Sequence, residues 1–302
     1  MTILRDIPRE YTSTRRVVFL FIPRKPNLLL QQQLPQIQSQ KWRCPTNERL
    51  KKPIIVERII QGLRSADALV ATNPFTRERL IRLCPEATPR IVEIPNGVHL
   101  QDYTERIPRP AGLNPGIKPD AYAIYIGRLK YRNGVDILFQ ALARTPGNGK
   151  VQLVLAGDGD ERALLDIFAE QLDLRARVCF LGNVTKTIKQ YLLQNARFGV
   201  VSARHPDASG SAILEGYAAG LPMIATDLPG WRNLVQPEKT GFLVTPEAPH
   251  DLADAMTRLF ADDGLVQPRR DHASVGHDEG ACALEPLRLA ADVGHRACAK
   301  YD

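Results

Sequence analysis

The sequence predicts an α/β protein whose second half is a doubly wound parallel sheet. Three observations carry this. Short apolar runs alternate with amphipathic helical segments from residue 120 to 260. Gly-rich turns follow several of the runs. One helix start, near residue 211, is placed to meet an anion. Ala121–Ile126 is a strand-like run ending at Gly127. Val135, Leu138, Phe139 and Leu142 then recur at helical spacing, and Pro146 and Gly147 close that helix. Val151–Ala156 is the next strand, turning at Gly157-Asp158-Gly159, and Leu164, Leu165, Phe168 and Leu172 mark the next helix. Val178–Leu181, Phe198–Ala203, Met223–Ala225 and Gly241–Val244 read as further strands. Helices over about 187–195, 211–219 and 251–260 fall between or after them.

The first 110 residues are less regular. Val17–Ile22 and Ala68–Thr72 read as strands, with helices over about 47–64 and 74–83. Pro95-Asn96-Gly97 is a turn, and the Pro- and Gly-rich stretch Pro108–Pro119 reads as a linker. The expected division is 1–110, then 111–262, then an atypical tail over 263–302. No internal repeat is visible.

Composition bounds the class. A chain of 302 residues with 44% hydrophobic and 24% charged residues has the balance of a globular protein large enough for two cores. No apolar run reaches membrane-spanning length, and the start lacks a signal-peptide core, so a cytoplasmic location is expected. Five scattered cysteines without a CxxC pair read as reduced thiols. Charge is uneven: residues 1–110 carry 19 Lys and Arg against 10 Asp and Glu, the remainder 21 against 23. The basic part could meet an anionic membrane or a phosphorylated acceptor, or it could be a solvated surface. Aromatics, at 6% of the chain, do not alternate with the basic residues, so no nucleic-acid partner is expected.

The chemistry concentrates between Asp207 and Glu215. An acid in a Pro-containing loop precedes small residues (Ser209, Gly210, Ser211), and a second acid follows one turn into the helix. The first turn of a helix has free N–H groups and a partial positive charge, which suit a phosphate. Ser209 or Ser211 can cap it, and Gly210 admits a ligand close to the backbone. Two carboxylates would repel a phosphate but accept bonds from hydroxyls on either side of it, as in a nucleotide sugar. The alternative is an ordinary helix start with two solvated acids.

Six strings, in order along the chain, resemble one family. They are Ala66-Asp67-Ala68-Leu69-Val70, Ile94-Pro95-Asn96-Gly97-Val98, Tyr125-Ile126-Gly127-Arg128-Leu129, Val154-Leu155-Ala156-Gly157-Asp158-Gly159, Phe180-Leu181-Gly182-Asn183-Val184 and Glu215-Gly216-Tyr217-Ala218-Ala219-Gly220-Leu221-Pro222. Together they are similar to the retaining glycosyltransferases of family 4, over about residues 64–260. The resemblance implies a GT-B-like architecture of two Rossmann-like domains, the second holding a nucleoside-diphosphate sugar. It implies transfer of a hexosyl or related group, with retention, to a glycan, lipid or small-molecule acceptor, in keeping with cell-envelope polysaccharide synthesis.

Mapped onto this chain, the resemblance makes Glu215 the acceptor for ribose hydroxyls. Asp207 would hold sugar hydroxyls with help from Ser209, Gly210 and Ser211, and Arg128 would neutralise the departing diphosphate. Gly127, Lys130, Asn133 and Asn183 line the same donor site. No cofactor or metal is implied. The chain departs from the pattern in places. Asp207 stands where the family has Glu, and Asn133 precedes Gly134 where the family has Lys, so Lys130 or Arg132 is the expected substitute cation. Residues 1–61 hold no Gly, and no His precedes His99, so a shortened acceptor domain is expected. A degenerate homologue that binds nucleotide or a partner chain without turnover is the alternative. His272, His277, Cys282, His295 and Cys298 match no zinc spacing, and His205 reads as a loop residue or a pocket residue.

Overall fold

The computed structural model describes residues 17–19, 53–103, 105–147, 149–150, 152–205, 210–237 and 239–266. They fall into two compact units, divided between Pro95 and Asn96.

The first unit contains β1 (Val17–Phe19), α1 (Pro53–Ser65), β2 (Ala68–Ala71), α2 (Pro74–Leu83), a 3-10 turn (Pro85–Arg90) and β3 (Ile91–Glu93). The three strands are parallel in the order β1-β2-β3. Helix α2 begins where the sequence predicts, because Asn73 accepts from the Thr76 N–H at 2.7 Å and Pro74 has no N–H to lose. Helix α1 is described over Pro53–Ser65, and the start expected near 47 lies outside the described residues. A small core of Leu63, Leu69, Ala71, Leu80, Cys84 and Ile91 joins α1, β2, α2 and β3. Strand β3, not anticipated, is three residues long, too short for a readable period.

The second unit contains β4 (Ala123–Ile126), α3 (Val135–Arg144), β5 (Leu153–Ala156), α4 (Arg162–Gln171), β6 (Val178–Gly182), α5 (Lys186–Asn195) and β7 (Phe198–Val201). It continues with α6 (Ser211–Ala218), β8 (Met223–Thr226), β9 (Gly241–Val244) and α7 (Pro249–Ala261). All six strands are parallel, in the order β6-β5-β4-β7-β8-β9. Successive strand residues feed opposite cores. Ala123, Tyr125, Leu153, Leu155, Phe198 and Val200 pack with α3, α4 and α7. Ile124, Val154, Ala156, Met223 and Ala225 pack with α5 and α6. This two-sided burial is why the strands read as unbroken apolar runs.

The stretch expected to be a linker, Pro108–Pro119, is instead packed on the second unit. Ile117 is 1% exposed. The Arg109 guanidinium donates to the carbonyls of Ile117 (2.9 Å) and Asn114 (2.8 Å) and to the Tyr191 hydroxyl. Its Pro and Gly content shapes a closely turned cover over the α5 side of the core. Winding runs outward from β4 to β6, crosses back to β7, and runs outward again to β9. The direction of winding reverses between β4 and β7, which opens a crevice beyond their carboxyl ends.

Candidate functional site

Two loops frame that crevice. The first follows β4 and carries Gly127, Arg128, Leu129 and Lys130, then a 3-10 turn over Tyr131–Asn133. Gly134, at φ 65°, ends it in the left-handed region and precedes α3. The second loop follows β7 and leads to α6. They meet backbone to backbone: a Cβ on Gly134 would stand 2.0 Å from the Ser202 carbonyl oxygen. The Ser202 hydroxyl donates to the Gly134 carbonyl at 2.9 Å. Glycine at 134 thus serves two needs, a positive φ and the approach of the neighbouring strand end.

Within the first loop, the Arg128 carbonyl accepts from the Tyr125 hydroxyl (3.0 Å) and from Asn133 Nδ2 (2.6 Å). Leu129 is fully buried beside it. The backbone at Arg128 is pinned while its side chain is exposed. Asn133, read as a lost cation, spends its amide on holding this loop. Lys130, one of the two expected substitutes, pairs with Asp160 Oδ2 at 2.8 Å.

Arg204, which the sequence reading did not single out, ties the two loops together. Its side chain is 6% exposed. The guanidinium grips both oxygens of Asp136 on α3 and donates to the Tyr131 carbonyl at 2.6 Å. It lies 4.1 Å over the Tyr131 ring and 3.3 Å from Glu247, while its own N–H donates to the Arg132 carbonyl. Burial works against its charge, but the hydrogen bonds and charge of Asp136 outweigh that and hold the guanidinium above its ordinary pKa. Glu161, at the start of α4, shows the reverse. Burial, then the charge of Asp136, pushes its carboxyl above the usual range, partly offset by Arg204.

The loop after β5 supports Arg128 from the other side. Leu129 N–H donates to the Asp158 carbonyl, and Glu161 N–H to the Leu129 carbonyl. Gly157 has φ +146°, and a Cβ there would lie 1.9 Å from the Gly127 carbonyl oxygen. Gly157→Ala is therefore expected to destabilise the protein by roughly 3 kcal/mol, from backbone strain and forced separation of the β4 and β5 ends. Thermal melting checks this, and an unchanged midpoint would contradict it.

Helix α6 carries the remaining described candidates. Its N-cap is Gly210, in the left-handed region at φ 68°, and no side chain caps the helix. The expected serine cap is thus replaced by a backbone turn that only glycine adopts readily; a Cβ on Gly210 would also press Leu234 at 2.6 Å. Ser211 opens the helix, and Glu215 lies one turn on. Glu215 Oε1 accepts from Lys189 Nζ of α5 at 2.6 Å. Its charge, after burial, helps push the Tyr103 hydroxyl above the usual tyrosine pKa. Asn183 is exposed in the loop after β6, beside Gly182, whose carbonyl accepts from Gly157 N–H at 2.7 Å. Asp207 and Ser209 lie outside the described residues, as do the tail histidines and cysteines.

The structure therefore gathers Gly127, Arg128 and Asn133 in one braced loop, joined at Gly134 and Ser202 to the loop that leads to Gly210 and Ser211. It adds Arg204, Asp136, Lys189 and Tyr103, for which the sequence carried no local signal. Among the described residues no three His, Cys, Asp or Glu side chains gather. No described helix is long and apolar enough to cross a membrane.

Residues 114–274 match the family described as glycosyl transferases group 1. The chain is similar to an uncharacterized glycosyltransferase of Methanocaldococcus jannaschii, 31% identical over 151 residues, which are 50% of this chain and 38% of that protein. It is also similar to the D-inositol 3-phosphate glycosyltransferase of Xylanimonas cellulosilytica, 29% identical over 240 residues, 74% of this chain and 57% of that one. The chain thus spans little more than half of these relatives at most. In structure it is similar to HepE of Anabaena, solved with UDP, with UDP and glucose, and with UDP-glucose. For the UDP complex the TM-score is 0.66 at 20% identity, covering 83% of this chain and 68% of that one. The fold is GT-B, as the resemblance implied.

Proposed function

We propose that this chain, which belongs to the group 1 glycosyl transferases, binds a nucleoside-diphosphate sugar at the β4–β7 switch point. It then transfers the sugar with retention of configuration, as the family 4 enzymes do. The observation that carries this reading is the braced Arg128 loop, bonded through Gly134 and Ser202 to the strand end that leads into α6; in this reading the exposed guanidinium and the α6 N-terminus face one crevice. A diphosphate needs both. The planar fork of Arg128 suits phosphate oxygens, and the free N–H groups of the first α6 turn add a fixed dipole.

In this reading Glu215 accepts the ribose hydroxyls through the oxygen that Lys189 does not hold. Asp207, Ser209 and Ser211 hold the sugar hydroxyls, and Asn183 and Lys130 border the site. In the reaction, the bond from the anomeric carbon to the diphosphate oxygen breaks as the acceptor oxygen bonds to that carbon on the same face. The acceptor proton passes to the departing phosphate oxygen. Arg128 meets the negative charge that grows there, and no metal is required of the site. The acceptor is a hydroxyl-bearing glycan, lipid or small molecule of the cell envelope; the excess of basic residues before 110 favours an anionic one, or an anionic inner membrane face.

Calorimetry with UDP-glucose, GDP-mannose and ADP-glucose tests the donor. One of them is expected to bind, and Glu215→Ala to weaken it by about ten- to a hundredfold, the worth of a charge-assisted hydrogen bond. Binding without turnover with any acceptor offered would favour a degenerate homologue. Binding of none of the three would end the proposal.

A further inference from the structure

We infer that Lys189 is a positioning residue of the donor site, acting through Glu215 by cancelling its charge so that a diphosphate can lie nearby. The inference rests on the reading of Glu215 as the ribose acceptor and goes beyond it. Any carboxylate that grips a ribose stands close to the phosphates attached to that ribose, and at this range like charges repel strongly unless one is neutralised. Glu215 solves this with Lys189. The contact is 2.6 Å long, and both side chains are about three-quarters withdrawn from solvent, at 26% and 22% exposure. Screening by water is weaker there than at an open surface pair.

The lysine is itself firmly placed. Helix α5 packs Tyr191, Leu192 and Leu193 into the core shared with α6. Thr185 caps its start, accepting from Ile188 N–H. Along a neighbouring face, Lys186, Gln190 and Gln194 recur every four residues and bind one segment of chain. Lys186 Nζ meets Asp102 at 2.6 Å, Gln190 donates to the Asp102 carbonyl, and Gln194 donates to the carbonyls of Tyr103 and Glu105. This ladder brings Tyr103, 8% exposed, to the vicinity of Glu215. Glu215 thus meets a cation from α5. Lys189 holds Oε1, and no hydrogen bond among the described residues reaches Oε2.

The test uses the whole chain and the base selected by the calorimetry above. For uracil, UDP and uridine are titrated into wild type, Lys189→Met and Lys189→Arg, with melting midpoints recorded for each. Lys189→Met is expected to weaken UDP about tenfold. Uridine, which has no phosphate to be repelled, should change by less than about threefold, and Lys189→Arg should recover most of the loss. In steady state the Met variant should raise KM for the donor while kcat stays within about twofold, the mark of lost uniform binding. Equal weakening of UDP and uridine would reduce Lys189 to a structural part and overturn the inference, as would UDP affinity unchanged from wild type. Should Lys189→Met fail to fold, Lys189→Gln carries the same expectations. Wild type that binds no nucleotide at all would instead remove the donor-site reading itself.

Discussion

Arg128→Ala is expected to lower the rate of sugar transfer by about 10²–10³ while leaving the fold intact. The two halves of that expectation come from different atoms of one residue. The carbonyl of Arg128 is held by Tyr125 and Asn133, and the loop is further fixed by buried Leu129 and by exchange of hydrogen bonds with the β5 loop. None of these contacts is lost on truncation to alanine. The guanidinium is exposed and forms no ion pair with a described residue, so stability should move by no more than about 0.5 kcal/mol. What is lost is a charge facing the leaving diphosphate, which matters most when that group carries its full negative charge. Donor binding should therefore fall less than kcat. Arg128→Lys should keep the charge without the bidentate fork and land between the two. Single-turnover rates beside melting curves check this. A variant that transfers sugar at the wild-type rate would remove Arg128 from the mechanism.

The site is built mainly from backbone meeting backbone, and this explains what was readable beforehand. Strands β4, β5 and β7 are legible because burial on both faces leaves continuous apolar runs, and α2 because Asn73 and Pro74 mark its first turn. Gly127 and Gly157 are legible as turns, yet nothing local shows that Gly134 touches Ser202 or that Gly157 touches Gly127. Those contacts depend on strands that are neighbours in the sheet. The stretch 108–119 has the composition of a linker, because Pro and Gly also build closely turned covers, and only tertiary structure reveals Ile117 beneath it. Asn133 looked like a deficit because a missing charge is visible in sequence while a carbonyl partner is not. Arg204, Asp136 and Lys189 were overlooked for the same reason: their partners lie 68, 68 and 26 positions away along the chain.

The heaviest cost to stability is expected from Asp136→Ala. Removing this carboxylate leaves Arg204 nearly buried with its main counter-charge gone, and an uncompensated buried ion of this kind costs about 3–5 kcal/mol. Two remaining contacts argue for the lower part of that range: the Tyr131 carbonyl and ring stay in place, and Glu247 lies 3.3 Å from Nε. Glu247 is 63% exposed, however, and water screens most of what it offers. Asp136 also sits in the first turn of α3, where a negative charge adds roughly 0.3–1 kcal/mol through the helix dipole. A fall in the melting midpoint of roughly 10 °C follows for a unit of this size. Asp160→Ala, which breaks the more exposed pair with Lys130, is the control and should cost less than about 1 kcal/mol. Because Arg204 joins the β4 and β7 loops, the damage should also reach the crevice. At temperatures where Asp136→Ala is still folded, its affinity for the nucleotide sugar should drop, while Asp160→Ala binds much as wild type does. If Asp136→Ala melts with the wild-type protein, the Arg204 guanidinium is not held as the structure has it, and the brace between the two loops must be sought elsewhere.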